Sequence, residues 1–552
     1  MTMRLEDRGR GWLRHIWEKA TTPDDWSSSG TPHAWWDRDS TAPMCAFPRF
    51  DLNETSYVLP VLANLTPAWR EVYTQIADGL IARYTSFWAA ADWLTLIGPD
   101  PNVDRYPPEW LGLAPSHLRG RYPLPGWTAN GVEPWGLQPD PIGADGNLFF
   151  RGFFNLLLSI YRSISGDDKW ESRFEVTGYQ DRRFSWTHHH ITELMQSQFD
   201  SQPQGPHCEN TKIWPYCVSA AGLGLQLYDN VHGARRHECF GQWLEFAKRN
   251  YMSIGRSGEL DWFALYYDPI EEAMCAIPGP SSAISALAVT PYLLPQDPEF
   301  TTRLYELAVR ALGWSDRRKP VLQLLDDPRG LSIALFIANE LGDDETAGRL
   351  RAVAERDFEP RFFGPDDDRF GWWFGFGEEY PRGQPGALLA LSEIGTRGAW
   401  QQAFRGADPA RFSEPTVEGV DYPTLGIAQA RNNAEDGALS IETYAATRSR
   451  RGQPTTLRVT HLPDARSVAV TCNGQDFASW RPVGANEIEL AIDVGEHLYR
   501  IQTLQGSSSL PPETEAMPRR APGPVGTPGT PIHSIQMRTA QPTTATRPMC
   551  CC

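Results

Sequence analysis

The sequence predicts a mainly α-helical fold, an α/α toroid, followed by a small antiparallel β-sandwich and a disordered tail. Three observations support this prediction. Apolar residues recur at helical spacing through much of residues 1–436, they alternate with polar residues in 437–505, and residues 506–552 are rich in Ser, Pro, Thr and Gly. These patterns are typical of helices, strands and disordered chain, respectively. We therefore expect a helical catalytic domain, a β-domain and a tail with these boundaries.

The helical part contains helix starts, periodic apolar faces and helix ends. Thr66 is expected to be an N-cap with Pro67 at the first helical position, and apolar residues follow at helical spacing. Further stretches share the pattern, several ending at Gly as C-caps do: FFRGFFNLLLSIYRSISG, CVSAAGLGLQLYDNVHG, CFGQWLEFAKRNYM, FTTRLYELAVRALGW, GLSIALFIANELGD, ETAGRLRAVAERDF and PGALLALSEIG. Roughly ten to twelve helices without a fixed repeat period favour a toroid over a solenoid.

One loop is long enough to suggest a role in a site. Residues 360–385, PRFFGPDDDRFGWWFGFGEEYPRGQP, exceed the length of about 12 residues beyond which loops are usually functional. Loops at one end of a toroid line its cavity, and this loop supplies Trp372, Trp373 and Phe376 as predicted walls. Because indole faces stabilise cations, such walls suit a carbocation-like transition state.

The charge and the distribution of apolar residues restrict the classes of function. A net charge of −17 without a pronounced basic stripe argues against nucleic-acid binding. No secretory signal and no apolar run of about 18 residues are visible, so we expect a cytoplasmic protein with reduced thiols. The final residues Cys550, Cys551 and Cys552 leave weak membrane tethering by acylation as an alternative, although they lack the prenylation pattern. The absence of a C-x-x-C pair argues against a structural zinc site.

Two other cysteines, Cys208 and Cys217, flank a short loop in the stretch HCENTKIWPYC. On one continuous helix, nine positions turn through about 900°, which would put the two side chains on opposite faces. Pro215 forbids such a helix and suits the start of a new one, so Cys208 is expected on a loop and Cys217 in the first helical turn. A helix N-terminus stabilises a thiolate, whereas a thiol on an apolar loop stays protonated, so the two would form an acid/base pair. The spacing alone also fits two small buried apolar side chains.

This stretch, continued by VSAAGLGLQLYDNVHG, resembles the linalool dehydratase/isomerase family. That family has a Cys-Glu pair, a short loop with an aromatic residue, and a second Cys that opens a helix ending in Tyr-Asp-x-x-His-Gly. The residues that keep this spacing are Cys208-Glu209, Trp214, Cys217 and the run from Tyr228 to Gly233. The flanking stretches FFRGFFNLLLSIYRSISGDDKWE, with Gly152 and Asn155 in register, and GLSIALFIANELGDD extend the resemblance over roughly residues 30–405.

The resemblance implies a cofactor-free (α/α)6 barrel that hydrates, dehydrates or isomerises a terpene-type alkenol. It implies Cys208 and Cys217 as the catalytic acid/base pair and Trp214 as a pocket wall. Family members assemble into rings, so the resemblance leaves open two outcomes: a homo-oligomer, or a β-domain that blocks or replaces the family contact. The predicted substrate-binding residues are Trp214, Phe153, Phe149, Tyr216, Trp372, Trp373 and Phe376.

Three positions depart from the family pattern. The family histidine falls at Phe153, and a family tyrosine falls near Ile284, so apolar side chains replace two groups that handle the hydroxyl. The family's N-terminal aspartate has only loose matches in Asp24 and Asp25, of which Asp25 is the predicted catalytic residue. These departures favour a larger, more apolar substrate than linalool.

A run of histidines offers one alternative source of an acid or base. His188, His189 and His190 point about 100° apart on a helix, so the three cannot all ligate one metal. One of them could replace the missing family histidine, although a solvated or core-satisfied cluster is the simpler interpretation. His207 could set the charge of the neighbouring Cys208.

Two pairs of carboxylates offer a different chemistry, because α/α toroids also host sugar-processing enzymes. Glu259 and Asp261 share one side of an extended segment, and Glu378 and Glu379 lie in the long loop. Paired carboxylates can hydrolyse glycosides. A surface hairpin is the simpler interpretation of the first pair.

The predicted function is a cofactor-independent lyase or isomerase that acts on a terpenoid-like unsaturated alcohol or polyene by cysteine acid/base chemistry, without a metal. Dehydration, hydration, double-bond isomerisation and cyclisation all remain open. The alternatives are a carbohydrate-active toroid that uses carboxylates, and a non-catalytic barrel that binds a hydrophobic ligand.

Overall fold

The computed structural model describes residues 4–36, 48–90, 139–144, 146–208, 212–277, 279–321, 328–405, 409–433 and 435–503. Helices dominate as far as residue 403, and small antiparallel sheets follow, which confirms the predicted mainly α fold class. The predicted tail with its three terminal cysteines, and Glu209, lie outside the described residues. Among the described helices, none combines the length and apolar character that a membrane span requires.

The helices are α1 (Asp7–Thr21), α2 (Pro48–Thr55), α3 (Val58–Leu65), α4 (Glu71–Tyr84), α5 (Leu148–Ser165), α6 (His188–Ser201), α7 (Pro215–His232), α8 (Phe240–Asn250), α9 (Pro280–Ala288), α10 (Thr290–Leu293), α11 (Pro298–Ala311), α12 (Pro328–Leu341), α13 (Asp344–Asp357), α14 (Gly383–Ile394) and α15 (Ala399–Ala403). Helices α5 and α7 end at Gly166 and Gly233, both in the left-handed conformation that glycine adopts readily at a C-cap.

Helix contacts run in a closed cycle. They pass from α1 to α4, α5, α7, α10, α12 and α14, and return from α14 to α1. The most extensive of these contacts joins α5 and α7. It is close because each helix has a glycine facing the other: a Cβ at Gly152 of α5 would lie 2.9 Å from the Cβ of Ala221, and a Cβ at Gly224 of α7 would lie 2.8 Å from Nδ2 of Asn155. Small residues therefore allow α5 and α7 to pack closely.

The strands are β1 (Phe174–Thr177), β2 (Arg183–Trp186), β3 (Met252–Ile254), β4 (Leu260–Phe263), β5 (Tyr266–Asp268), β6 (Ala273–Cys275), β7 (Arg361–Phe363), β8 (Arg369–Gly371), β9 (Thr416–Glu418), β10 (Leu425–Asn432), β11 (Ala438–Ala445), β12 (Pro454–Thr460), β13 (Val468–Cys472), β14 (Gln475–Asp476), β15 (Trp480–Pro482), β16 (Ile488–Asp493) and β17 (Leu498–Thr503).

The first eight strands form four separate hairpins, and the others form two antiparallel sheets in the orders β10-β11-β17-β13-β14 and β15-β16-β12-β9. Strands β9 and β10 precede residue 437, so these sheets begin before the predicted boundary of the β-domain. The division into domains itself stays a prediction.

The predicted helix start at Thr66 is wrong, because Thr66 is the C-cap of α3 and the next helix begins at Glu71. The intervening segment pairs with the C-terminal strands. The Ala68 N–H donates to the carbonyl of Ala430 at 3.1 Å, and the Ala68 carbonyl accepts the N–H of Val417 at 2.7 Å. These distant hydrogen bonds satisfy a backbone that local signals alone assign to a helix.

Candidate active site

Cys208 lies on the loop before α7, as the sequence predicts, and its thiol faces the first turn of α5. The backbone N–H of Phe149 donates a hydrogen bond to Cys208 Sγ at 3.0 Å. The N–H of Cys208 donates to the carbonyl of Lys212 at 2.7 Å, which closes the loop on itself. Both Cys208 and Lys212 are completely buried. The expectation of a purely apolar loop is therefore incomplete, because a backbone donor points at this thiol.

Cys217 is the third residue of α7, which begins at Pro215 after the N-cap Trp214, as predicted. The side chain is buried, and its electrostatic influence reaches Tyr84: burial raises the pKa of that phenol, Arg49 opposes the rise, and Cys217 adds to it. The Tyr84 hydroxyl in turn donates to the carbonyl of Phe150 at 3.1 Å.

The contacts of the two thiols lead to neighbouring residues of α5. Cys208 contacts Phe149, the second residue of α5, and Cys217 interacts with the tyrosine that hydrogen-bonds the third. The helix N-termini of α5 and α7 both carry partial positive charge, which favours thiolates near them.

Three of the predicted substrate-binding residues, Phe149, Phe153 and Tyr216, come together around Phe50 of α2. The ring centroids lie 6.1 Å apart for Phe50 and Phe149, 5.9 Å for Phe50 and Phe153, and 5.4 Å for Phe153 and Tyr216. The buried guanidinium of Arg49 lies 3.5 Å from the centroid of Phe149. This aromatic cluster borders the first turns of α5 and α7, where the thiols lie.

A chain of buried hydroxyl groups adjoins the aromatic cluster. The Tyr216 hydroxyl donates to Oε1 of Glu54 at 2.7 Å, and the Tyr292 hydroxyl donates to that of Tyr216 at 3.0 Å. Tyr292 and Tyr57 hydroxyls lie 3.0 Å apart, and Nδ2 of Asn53 donates to Tyr57 at 2.9 Å. We call Glu54, Tyr216, Tyr292, Tyr57 and Asn53 the Glu54 network.

Glu54 is a buried carboxyl at the end of this network. Burial raises its pKa to about 7, against the hydrogen bonds from Tyr216 and Gln384 and the charge of Arg329, while Asp51 raises it further. Nε2 of Gln384 donates to Glu54 Oε1 at 3.2 Å. Asp51 itself pairs with Lys19 at 2.6 Å, and both of these side chains are buried. A carboxyl with a pKa near 7 can both donate and accept a proton at neutral pH.

Sequence reasoning missed Glu54, Tyr57 and Tyr292. It found the apolar residues Phe153 and Ile284 at the positions where the family carries a histidine and a tyrosine. Phe153 is buried, but its ring centroid lies 5.9 Å from that of Tyr292, a member of the Glu54 network. The sequence shows only that Asp51 and Glu54 lie three residues apart and so share a helix face ahead of VLPVLANL, a pattern that does not distinguish a buried face from a solvated one.

Two further predicted residues, Asp25 and Trp214, have the following surroundings. Asp25 lies on an exposed turn, where its carboxylate accepts the N–H of Ser27 at 2.9 Å, and it borders an open surface cleft of about 600 Å³. Its neighbour Asp24 binds Arg83 and the indole N–H groups of Trp26 and Trp36, which is a structural role. Trp214 is buried against Tyr266, with ring centroids 5.1 Å apart.

The predicted wall loop, residues 360–385, forms the β7–β8 hairpin, which packs against α1. Trp372 contacts Trp12 of α1, and Trp373 contacts Phe363. Phe376 is half-buried near the guanidinium of Arg382, 6.0 Å from the ring centroid.

The carboxylate pairs have surface or structural surroundings. Glu259 and Asp261 are exposed on the β3–β4 hairpin, as the simpler interpretation predicts. Glu378 accepts the backbone N–H groups of Phe374 and Phe376, and thereby closes its own loop, while Glu379 is exposed.

The histidine run begins α6 and lies at the far end of α5 from the thiols. His188 is buried and contacts the hydroxyl of Ser159, His189 hydrogen-bonds Tyr228, and His190 is exposed. His207 contributes its carbonyl to the N–H of Leu148 at 3.2 Å. A histidine of α6 therefore does not replace the missing family histidine.

The comparison with family models identifies the stretch that holds both thiols. A model described as linalool dehydratase/isomerase matches residues 128–364. This part of the chain is therefore similar to the linalool dehydratase/isomerase family. The predicted family is thereby confirmed, and the match supports an enzyme of the lyase/isomerase kind that acts on a small molecule. The strands from β9 onward lie outside the matched residues.

Solved structures with a detectable likeness are distant. An inactive variant of an alpha-1,6-mannanase from Salegentibacter sp., in complex with alpha-1,6-mannotetrose, is 7% identical over 72% of this chain and 99% of its own, with a TM-score of 0.36. An unsaturated glucuronyl hydrolase specific for heparin is 8% identical over 70% of this chain and 94% of its own, with a TM-score of 0.37. Likenesses at this level carry no argument about activity.

Proposed function

We propose that this chain is a cofactor-independent lyase or isomerase that moves protons on a terpenoid-like unsaturated alcohol or polyene with Cys208 and Cys217. The observation that carries the proposal is that both thiols are buried inside the residues that match the family, Cys208 against the first turn of α5 and Cys217 in the first turn of α7. The closed cycle of helices supports an (α/α)6 barrel as the catalytic domain, with the C-terminal sheets as an appended β-sandwich.

In the proposed reaction, one thiol gives a proton to the substrate, and the other, as thiolate, takes a proton from an adjacent carbon. In a dehydration, the proton goes to the hydroxyl, the C–O bond breaks to release water, and loss of the neighbouring C–H proton forms the new double bond. In an isomerisation, the first proton goes to an alkene carbon. The Phe149 N–H at Cys208 and the helix terminus at Cys217 favour the thiolate that each cycle requires.

The Glu54 network supplies the polar group that an alcohol needs. Tyr216 connects Glu54 to the aromatic cluster, so its hydroxyl can exchange a proton with the carboxyl while it contacts a substrate oxygen. The pKa of Glu54 near 7 suits both directions of that transfer at neutral pH. In this proposal, the network takes the role of the groups that Phe153 and Ile284 replace.

The aromatic cluster determines the class of substrate. Phe50, Phe149 and Phe153 form a mainly apolar surface, with the guanidinium of Arg49 against Phe50 and Phe149, and such a surface suits an isoprenoid chain better than a sugar. Aromatic faces also stabilise a cationic intermediate, by about 0.5–2 kcal/mol for each ring. The carbohydrate alternative gains no support, because the candidate carboxylate pairs are exposed or bound by their own loop.

The proposal is tested by product formation from a panel of isoprenoid alcohols and polyenes, followed by gas chromatography. We expect turnover by the wild type, and at least about a 100-fold loss in C208S and in C217S, because serine keeps the size of cysteine and lacks its acidity. C239S is the matched control: Cys239 is buried and donates to the carbonyl of Arg236 at 2.9 Å. Binding of the panel without turnover by the wild type would favour the non-catalytic alternative.

A further inference from the structure

The other end of the α5–α7 pair carries a cluster of ligating side chains that the proposed reaction does not use. Glu171 follows α5 in a short 3₁₀ turn, His188 begins α6, and His232 ends α7. Their ligand atoms all lie within 4.8 Å of one another. Along α7 this cluster is about 22 Å from Cys217, at 1.5 Å per residue. It is therefore separate from the candidate active site.

We propose that Glu171, His188 and His232 form a binding site for a divalent transition-metal ion such as Zn²⁺, which joins the ends of three helices. Two imidazoles and one carboxylate are a ligand set that zinc accepts. The ligand atoms of a tetrahedral zinc site lie about 3.4 Å apart, so the cluster has to contract by roughly 1 Å on binding. His232 Nε2 and Glu171 Oε1 are already 2.9 Å apart, and the histidine N–H is not aligned as a hydrogen bond there.

The burial of the three side chains suits an ion with one solvent ligand. His188 is buried, whereas the side chains of Glu171 and His232 keep 15% and 17% of their exposure, which leaves a path for the ion and a position for water.

The side chains around the cluster compete with the ion for its ligands, and the ligand atoms determine which ions it prefers. Arg162 Nε donates to Oε1 of Glu171 at 2.9 Å, so the ion has to share or displace that guanidinium. Ser159 Oγ lies 3.2 Å from Nε2 of His188. His189 contacts the Tyr228 hydroxyl at 2.7 Å and so stands beside the site as an orienting group. Nitrogen ligands favour Zn²⁺, Co²⁺ or Ni²⁺ over Mg²⁺ and Ca²⁺.

This site gives a physical role to part of the family motif. His232 is the histidine of the Tyr-Asp-x-x-His-Gly run, and Asp229 of the same run accepts the backbone N–H groups of Arg236 and His237. The aspartate therefore fixes the chain after α7, and the histidine is left to bind the ion.

The test uses the full-length protein after treatment with a chelator, with ZnCl2 and CoCl2 as probes. We expect saturable binding of one ion, a rise in the melting temperature, and visible d–d bands from bound Co²⁺. Variants E171Q and H232Q change partly exposed positions, so they are expected to fold. Because loss of an outer-shell partner alone costs about 10–100-fold in affinity, loss of a ligand should weaken binding by at least about 100-fold.

The control is H190Q, which changes an exposed histidine on α6, the helix that also carries His188. This variant should bind both ions as the wild type does. Binding that E171Q and H232Q leave unchanged would overturn the proposal. A Co²⁺–thiolate charge-transfer band that C208S removes would assign the ion to the cysteines and would equally overturn it.

Discussion

The substitution Glu54→Gln should change how the stability of the protein depends on pH. Glutamine keeps the side-chain oxygen that accepts from Tyr216 and Gln384, so the hydrogen bonds of the wild type survive. It removes only the ionisation of a fully buried group. The variant therefore isolates the cost of a buried negative charge.

The magnitude follows from the pKa of Glu54. Burial raises it from 4.5 to about 7, and 1.36 kcal/mol per pKa unit converts this difference into about 3 kcal/mol. Glu54 stays protonated up to a pH near 7 in the folded state, whereas it loses its proton near pH 4.5 in the unfolded state. The stabilising contribution of the protonated carboxyl is therefore complete below pH 4.5, decreases as the pH rises, and is lost above the folded pKa near 7.

The assay is urea unfolding followed by tryptophan fluorescence for the wild type and E54Q between about pH 5 and about pH 8. Relative to the variant, the wild type should lose about 3 kcal/mol of unfolding free energy over this range. E355Q is a control that should stay constant over this range, because the hydrogen bond from Arg8 lowers the pKa of Glu355, so its stabilising effect is lost only at more acidic pH. If the difference in unfolding free energy between the wild type and E54Q were the same at about pH 5 and at about pH 8, the reasoning would be refuted.

Two further predictions concern packing and charge. Lys19→Met removes the ammonium group that lies 2.6 Å from the buried Asp51 carboxylate. It should lower the free energy of unfolding, measured by urea titration, by about 3–5 kcal/mol. A loss below about 1 kcal/mol would contradict the importance of the buried pair. Gly152→Ala puts a Cβ 2.9 Å from that of Ala221 and should lower the free energy of unfolding by about 1–3 kcal/mol. The control is Gly348→Ala at an exposed position of α13, where no atom lies within 4 Å of the new Cβ, and it should raise this free energy by up to about 1 kcal/mol. Melting temperatures that shift in the same direction in both variants would contradict the close α5–α7 contact.

Local signals located the core of the candidate site well. Pro215 predicted the start of α7, and the pattern of FFRGFFNLLLSIYRSISG with its terminal Gly predicted α5 almost residue for residue. These signals are strong because proline and glycine impose backbone constraints that need no distant partner. Both thiols were therefore placed on the correct elements from the sequence.

Other features depend on contacts between residues that are far apart in the sequence. The Glu54 network joins side chains of α2, α7 and α10, and no local pattern says that three separate tyrosines meet one glutamate. The same reason explains Thr66, where the following segment pairs with strands more than three hundred residues away. It also explains why the sequence did not indicate the cluster of Glu171, His188 and His232: only one of the three adjacent histidines joins it, and its other two members are distant in the sequence.

The central claim, that Cys208 and Cys217 move protons on the carbon skeleton, is tested most directly by isotope exchange in D2O. Wild type, C208S, C217S and C239S would be incubated with the alcohol or polyene that the panel selects, and the position of deuterium would be read by NMR and mass spectrometry. The account predicts deuterium on carbon with the wild type and C239S, and none with either catalytic-site variant. Carbon-bound deuterium that persists in both C208S and C217S would contradict it.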